Sequence, residues 1–309
     1  MKTLRFYNGN EIPIIGMGSF KGQPGEIEQA IQDAIEVGYR HIDCAWFYGN
    51  EAEVGTGIKF AIASGKVKRE DLFITTKLWN NFHDRKNVMP KLKESLKALQ
   101  VDYVDLYLIH WPMGFKEDAE LLPTSPSAYS DVDYLETWQG MEECLKQNLT
   151  KNIGVSNFNE EQLERLLSNC EIKPVVNQIE VNPNMNQKQL RDYCSSKGIV
   201  VTAFTPLGRN LAVPTATGQP ASALADPRVI EMGKKYNKTP AQIVLRFLVD
   251  MGISVIPKSV NKNRLAQNID IFDFQLDKED TEFLNGLNKN IRVSASSAYK
   301  DHKYYPFEK

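Results

Sequence analysis

The chain has 309 residues, 42% of them hydrophobic, and 37 Lys and Arg against 39 Asp and Glu give a formal net charge of −2. This length can bury the core of one large domain or two small ones. The near-neutral charge argues against binding to nucleic acid or an anionic membrane through net charge. No apolar run reaches the roughly 18 residues of a membrane span, and the start of the chain lacks the apolar block of a secretory signal. With four dispersed cysteines, these features predict a cytoplasmic protein with reduced thiols.

Short apolar runs rich in β-branched residues recur along the chain and are typical of buried strands. In chain order the eight predicted strands are Ile14–Gly18, Tyr39–Asp43, Leu72–Lys77, Val104–His110, Lys151–Val155, Val175–Ile179, Val200–Phe204 and Ile253–Ile256. Amphipathic stretches of helical length lie between several of them. The helices predicted from this spacing are Val88–Leu99, Tyr134–Gln147, Asp226–Tyr236 and Ala241–Asp250. The last two carry a capping residue followed by proline, at Asp226-Pro227 and Thr239-Pro240.

Eight strands that alternate with helices fit either an open doubly wound sheet or a closed barrel, and the strand count and chain length favour the barrel. The nearest match to a dinucleotide-binding G-x-G-x-x-G motif, Gly16 to Lys21, lacks the third glycine. We therefore reject a Rossmann domain. The prediction is an α/β fold, a single (β/α)8 TIM barrel over residues 1–309. The long segments Pro112–Asp133, Leu207–Ala225 and Asn290–Lys309 predict extended functional loops at one end of it.

Chemistry in such a barrel is expected where the strands end at their carboxyl side. The polar or aromatic residues at those ends are Asp43, Lys77, His110, Asn157, Gln178, Phe204 and Lys258. Taken singly, each has an ordinary structural explanation, such as a capping aspartate, an exposed lysine or a hydrogen-bonded histidine. The four histidines form no H-x-H or H-E-x-x-H pattern, so a zinc hydrolase is poorly supported.

Asp43 and Lys77 have a chemical logic when they are combined with Tyr48, which follows Asp43 by five positions. A tyrosine such as Tyr48, with a reference pKa near 10, is a poor acid at neutral pH. A neighbouring ammonium lowers that pKa, and a carboxylate holds the ammonium in place. Tyr48, Lys77 and Asp43 supply this trio, and His110 can orient a carbonyl oxygen beside it. The set predicts a site that donates a proton to oxygen while another group attacks carbon.

These residues lie in motifs that resemble those of the aldo-keto reductases. The matching segments are GYRHID (38–43) with YGNE (48–51), LYLIHWP (106–112), GVSNF (154–158), NQ (177–178) with EVNP (180–183), and IPKS (256–259). The resemblance runs from about Asn8 to Leu287. It is closest to the aldose reductase and aldehyde reductase branch, which includes insect ecdysteroid and carbonyl reductases. It implies a (β/α)8 barrel that binds NADPH without a Rossmann domain.

By motif position, the resemblance implies that Tyr48 donates the proton, Lys77 lowers its pKa, Asp43 pairs with Lys77 and His110 orients the carbonyl. The resemblance implies that Ser156, Asn157 and Gln178 bind the nicotinamide carboxamide. It implies that Lys258, Ser259 and Arg264 bind the 2′-phosphate of the adenosine. A cluster of this kind favours NADPH over NADH. It also implies that Asn268 contacts the adenine and that Leu207 to Gly208 lie along the pyrophosphate. Further cofactor contacts are implied for Ser19, Phe204, Thr205, Val260, Asn261 and Gln267. Lys262 is expected, with Lys258 and Arg264, to lie where the 2′-phosphate is held.

The sequence departs from the family pattern at four places. Phe204 replaces the tyrosine that stacks on the nicotinamide, Asn261 replaces Ser or Thr, and Gln267 replaces Glu. Phe204 keeps the stacking face, so cofactor binding is expected to survive. In the first loop, Phe20 replaces a tryptophan, which changes the substrate pocket locally.

The predicted substrate pocket is largely aromatic. Its candidates are Phe20, Phe47, Trp79, His110 and Trp111, with Phe115 and Ala298–Tyr299. We expect NADPH-dependent reduction of a small-molecule carbonyl substrate that is apolar and sizeable, such as an aromatic or lipid aldehyde or a steroid ketone. The resemblance leaves one alternative open, a binding or structural member with weak turnover. It also implies a monomer, while the net charge, the hydropathy and the histidine spacing predict no nucleic-acid partner, no membrane partner and no metal.

Overall fold

The computed structural model describes residues 2–208 and 222–308. An N-terminal hairpin of β1 (Thr3–Arg5) and β2 (Glu11–Pro13) precedes eight parallel strands. These are β3 (Met17–Gly18), β4 (His41–Asp43), β5 (Phe73–Leu78), β6 (Leu106–Ile109), β7 (Ile153–Ser156), β8 (Val176–Glu180), β9 (Val200–Phe204) and β10 (Ser254–Val255). Each strand pairs with its neighbours in chain order, and a parallel bridge between Ile15 and Val255 joins the two ends of the sheet. The predicted (β/α)8 barrel is confirmed.

All eight predicted strands are present, with their ends moved by up to three residues. The largest difference is at the start of β3, at the seam where the sheet closes near β10, and each of these two strands has only two residues. Pro257 has no N–H to donate, which ends β10 early. Gly16 is required at this seam because a Cβ there would lie 2.5 Å from Nδ1 of the buried His41 ring.

Ten helices surround the barrel in the described ranges. They are α1 (Ile27–Glu36), α2 (Glu51–Ala63), α3 (Arg85–Leu99), α4 (Tyr134–Lys146), α5 (Glu160–Leu167), α6 (Lys188–Ser196), α7 (Pro227–Tyr236), α8 (Pro240–Asp250), α9 (Lys262–Ile269) and α10 (Lys278–Gly286). The four predicted helices correspond to α3, α4, α7 and α8. The capping signals are confirmed as well, because the Asp226 side chain accepts from the Arg228 N–H and Thr239 accepts from the Gln242 N–H.

The N-terminal hairpin was not predicted. Its turn contains Asn8-Gly9, and Gly9 adopts a φ of +90°, which a glycine tolerates without strain. Phe6 and Ile12 pack against residues at the amino ends of the barrel strands, among them Phe73 of β5. The hairpin therefore covers the amino end of the barrel, and the carboxyl ends of the strands remain for the site.

Two of the three predicted long loops pack on each other at the carboxyl end. The segment 112–133 is contacted by residues 290–308, which we call the tail. The rings of Phe115 and Tyr299 lie 4.9 Å apart, and a His302 Nε2 to Gly114 carbonyl contact measures 3.0 Å. Most of the third loop, residues 209–221, lies outside the described residues. Within the described ranges, no helix is long and apolar enough to cross a membrane.

Candidate active site

Asp43, Tyr48 and Lys77 meet at the carboxyl ends of β4 and β5. The Lys77 Nζ lies 2.5 Å from Asp43 Oδ1 and 3.3 Å from the Tyr48 hydroxyl oxygen, and it also donates to the Cys44 carbonyl at 2.9 Å. Lys77 is completely buried and Asp43 is 2% exposed. A buried ammonium needs a charged partner and full hydrogen bonding, and these three acceptors supply both. The predicted trio is thus brought together.

The electrostatics of the trio differ in one respect from the prediction. Burial opposes the charge on Lys77, but Asp43 and Tyr48 outweigh it and raise the Lys77 pKa above its ordinary value. Burial raises the pKa of Tyr48 to about 12, and Lys77 only partly offsets this. Lys77 therefore acts in the predicted direction, yet the net shift of the Tyr48 pKa is upward. The result is a tyrosine that holds its proton at neutral pH beside a permanent cation.

His110 faces Tyr48 from the end of β6. The two rings are 5.7 Å apart and nearly perpendicular, and Trp79 lies 5.1 Å away on another side. Burial and the Lys77 charge lower the pKa of His110 well below its usual range. Nδ1 of His110 has no hydrogen-bond partner among the described residues. A neutral imidazole in this position can donate to, and orient, a carbonyl oxygen.

A cluster of side-chain amides lies next to the trio. Gln178 Nε2 donates to Asp43 Oδ2 at 2.8 Å, and the Ser156 hydroxyl donates to the Gln178 carbonyl at 2.8 Å. Asn157 adopts a φ of +62°, and its Nδ2 donates to the His110 carbonyl at 2.9 Å. The buried Oδ1 of Asn157 has no partner in the described residues. An unpaired buried acceptor fits the amino group of a carboxamide, so the residues present fit a nicotinamide here.

Two exposed cations lie beyond β10. A Cβ on Gly18, the last residue of β3, would lie 3.8 Å from the Lys258 Cβ, so Lys258 lies beside the end of β3. Arg264 is in the first turn of α9, and within the described ranges neither cation forms an ion pair. By contrast, Lys262 is held by Glu36 at 2.6 Å and by Asp33 at 3.5 Å. The free cations fit a phosphate, while Lys262 ties α9 to α1.

The remaining predicted cofactor residues differ in their burial. Ser19 is buried, and its hydroxyl has no hydrogen-bond partner in the described part of the chain. Phe204 and Thr205 are half-buried at the end of β9, with Thr205 at a φ of +50°. Leu207, Gly208 and Val260 are half-buried, Asn268 is buried and Gln267 is exposed. The Ser259 hydroxyl accepts from the Asn261 N–H, and the Asn261 side chain caps α9 through the Arg264 N–H. Asn261 thus has a structural role of its own.

Aromatic rings surround the mouth of the trio as predicted. Phe47 stacks on Trp79 with centroids 3.7 Å apart, and Phe20 lies 4.8 Å from Tyr48 with 45% of its surface exposed. Trp111 packs against Phe307 of the tail at 5.9 Å. The Trp79 Nε1 donates to the Leu121 carbonyl, which ties the segment 112–133 to this wall.

Sequence reasoning missed two partners of the trio. The Cys44 carbonyl has no sequence signal because any residue supplies one. The bond from Gln178 to Asp43 spans 135 positions, and only the closure of the barrel brings the two residues together. No cluster of three or more His, Cys, Asp or Glu suited to a metal ion occurs in the part of the chain that the structure describes.

The comparisons with known proteins agree with this geometry. A model of the aldo/keto reductase family matches residues 14–289. Aldo-keto reductase AKR2E4 of Bombyx mori is 48% identical over 98% of this chain and 97% of the relative. The chain belongs to the aldo/keto reductase family. The crystal structure of AKR2E4 in complex with NADP superposes with a TM-score of 0.91 at 46% identity, covering 99% of both chains.

Two further relatives of this aldo/keto reductase are informative. Aldo-keto reductase AKR2E5 of Bombyx mori, complexed with NADPH, superposes with a TM-score of 0.91 at 42% identity, covering 99% of this chain and 94% of the relative. Estradiol 17 beta-dehydrogenase 5 of Mus musculus is 44% identical over 99% of this chain and 97% of the relative. The predicted family is confirmed.

Two buried histidines, His41 and His83, predict acid-sensitive folding. Burial is the main cause that lowers the pKa of His41 and His83 to about 3, against about 6.5 in an unfolded chain. Below pH 6.5 the unfolded state binds protons that the folded state refuses, so stability falls as the pH falls. Each histidine is expected to cost about 2 kcal/mol at pH 5.

Thermal unfolding by calorimetry from pH 7.5 to 5 measures this loss. His83→Phe should reduce the pH dependence of the unfolding free energy by the contribution of one histidine, because neither ring nitrogen of His83 has a hydrogen-bond partner among the described residues. An unchanged slope in that variant would contradict the assignment.

Proposed function

We propose that this aldo/keto reductase uses NADPH to reduce aldehydes and ketones to alcohols, with Tyr48 as the proton donor. The observation that carries the proposal is the buried chain from Asp43 through Lys77 to the Tyr48 hydroxyl, faced by a neutral His110. Such a chain can protonate an oxygen on which negative charge develops.

Each residue has a distinct task in this proposal. When bound, NADPH supplies a hydride to the carbonyl carbon. His110 donates to the carbonyl oxygen and orients it toward Tyr48. Tyr48 gives its hydroxyl proton to that oxygen, and the Lys77 ammonium stabilises the phenolate that remains. Asp43 holds Lys77 in place, and the burial of both side chains shields their ion pair from water.

Residues at both ends of the predicted cofactor site support the choice of NADPH. Asn157, Gln178 and Ser156 would hold the carboxamide, and the unpaired Oδ1 of Asn157 is the acceptor that this role requires. Lys258 and Arg264 would hold the 2′-phosphate, which NADH lacks. The solved relatives in complex with NADP and NADPH support the same choice.

For the substrate, we propose a sizeable apolar carbonyl compound: an aromatic aldehyde, a lipid-derived aldehyde or a steroid ketone such as a 3-dehydroecdysteroid. The aromatic lining supports this class, because Phe47, Trp79 and Phe20 present ring faces beside Tyr48 and His110. Burial of apolar surface against such rings favours large apolar ligands over small polar sugars. A similar protein named as an estradiol dehydrogenase is consistent with a steroid.

The experiment is the consumption of NADPH, followed by its absorbance, with a panel of aldehydes and ketones that includes sugars and steroid ketones. We expect kcat/KM to be highest for the large apolar compounds. Turnover of none of them, with NADPH binding retained, would favour the alternative of a cofactor-binding or structural protein. A preference for small sugars would contradict the proposed substrate class but not the proposed carbonyl reduction.

We further propose that residues 1–309 act as one domain, as a monomer, in the cytoplasm. The hairpin and the tail support the single domain because both pack on the barrel. Light scattering of the purified protein would test the monomer.

A further inference from the structure

Glu180 is a buried carboxylate that the proton chain does not use. It is the last residue of β8, two positions after Gln178, and it is 0% exposed. Its Oε1 accepts from the Val293 N–H at 2.8 Å and its Oε2 from the Ser294 N–H at 2.7 Å. A buried carboxylate is costly unless hydrogen bonds compensate it. Two of those bonds come from the base of the tail, more than 110 positions away in the chain.

The same residue holds the tail through its main chain. The Glu180 carbonyl accepts from Gln187 Nε2 at 2.7 Å, and Gln187 Oε1 accepts from Arg292 Nη2 at 3.3 Å. The Arg292 guanidinium lies 3.6 Å from the centroid of the Phe307 ring. Phe307 in turn packs on Trp111, the residue directly after His110. The end of β8 is therefore connected to the wall of the candidate pocket through the tail.

The rest of the tail depends on where its base lies. The Tyr305 hydroxyl donates to the Ala295 carbonyl at 2.7 Å, which closes the segment 295–305 into a loop. This loop carries Tyr299, which packs on Phe115 at 4.9 Å. A shift of the base at 293–294 would move this loop relative to the pocket wall.

We propose that Glu180 is a positioning residue for substrate selectivity, whose carboxylate fixes the base of the tail so that the tail forms part of the wall for large carbonyl substrates. The proposal rests on the carbonyl-reducing function proposed above. A small aldehyde that reaches only Tyr48 and His110 does not need this wall, whereas a long or polycyclic compound does. Glu180 touches none of the proton-transfer trio among its hydrogen-bond partners.

The chain offers a matched control in Glu142. This carboxylate is also buried and also accepts from two consecutive N–H groups, those of Glu171 and Ile172, both at 2.8 Å. It ties α4 to the segment before β8 and has no tail partner among the described contacts. Both N–H groups are bound by one oxygen, Oε1, so Glu142→Gln removes the same negative charge, can keep both hydrogen bonds and leaves the tail unchanged.

The experiment compares Glu180→Gln with Glu142→Gln, using propanal and nonanal as the small and large aldehydes. Glutamine keeps the size of the side chain but turns one acceptor into a donor that faces a backbone N–H. In Glu180→Gln we expect KM for nonanal to rise about tenfold, with kcat, the propanal KM and the Kd for NADPH within about twofold of wild type. Glu142→Gln should leave the ratio of the two KM values unchanged.

Hydrogen exchange of the tail amides gives a readout independent of activity. Exchange at residues 290–300 should accelerate in Glu180→Gln and not in Glu142→Gln. If Glu180→Gln does not fold, Ser294→Pro removes the N–H that Oε2 accepts and is expected to shift the KM ratio in the same way. Unchanged tail exchange, or KM values that rise equally for both aldehydes, overturns the proposal. A wild type that reduces no carbonyl compound overturns the proposed function instead, and the exchange still decides whether Glu180 holds the tail.

Discussion

Replacing Tyr48 with phenylalanine is expected to lower kcat by about 1000-fold while the Kd for NADPH changes by less than about twofold. The phenyl ring keeps the contacts with Phe20 and His110, so the shape of the site is retained. The substitution removes the only hydroxyl that contacts the Lys77 ammonium among the described contacts, at 3.3 Å. Without it, no group at that position can protonate the developing alkoxide.

Steady-state rates with a reactive aromatic aldehyde and fluorescence titration with NADPH measure the two quantities. Tyr107→Phe is the control, since it also removes a buried tyrosine hydroxyl, one that lies 3.5 Å from the Val88 carbonyl. That variant should retain kcat near the wild-type value. A Tyr48→Phe protein with more than about a tenth of wild-type kcat would exclude Tyr48 as the proton donor.

The double replacement Lys258→Met with Arg264→Met is expected to raise KM for NADPH about 100-fold and KM for NADH less than about threefold. Hydrogen bonds to a charged group contribute roughly 1.5–3 kcal/mol each, and a phosphate that loses two cations loses both contributions. NADH has no 2′-phosphate, so these cations contribute little to its binding. The cofactor preference should therefore fall by more than tenfold.

Lys262→Met provides the control for general loss of positive charge. Lys262 lies in the same cluster, but its ammonium is already engaged by Glu36 and Asp33. It should change KM for NADPH by less than about twofold. Equal increases of KM for both cofactors in the double variant would count against a 2′-phosphate site at Lys258 and Arg264.

The barrel was predictable because its evidence is local. Each strand is a short buried run, as in Phe73–Leu78, where all six residues are buried. The helix caps at Asp226 and Thr239 depend on residues within three positions. The hairpin was missed although Asn8-Gly9 is a turn signal, because strands of three residues give almost no periodicity.

The site was predictable in composition and only partly in energetics. Motif positions brought Asp43, Tyr48 and Lys77 together correctly, since the carboxyl ends of parallel strands share one rim. The net shift of the Tyr48 pKa was not predictable, because it depends on how burial compares with the Lys77 charge, and burial is a property of the folded chain. The same holds for the separation of Lys262 from the two free cations, which depends on the approach of α1 to α9.

The carboxylate of Asp43 is shared between two neighbours, with one oxygen on Lys77 and the other on Gln178. The proton-transfer trio and the neighbouring amide cluster, the two halves of the site, are thus linked through one carboxylate. Any evolutionary or engineered change at position 43 alters both halves at once, whereas changes in the aromatic wall or at the tail leave this shared carboxylate untouched. Substitutions in the loops are therefore expected to change substrate preference without disturbing the proton-transfer trio.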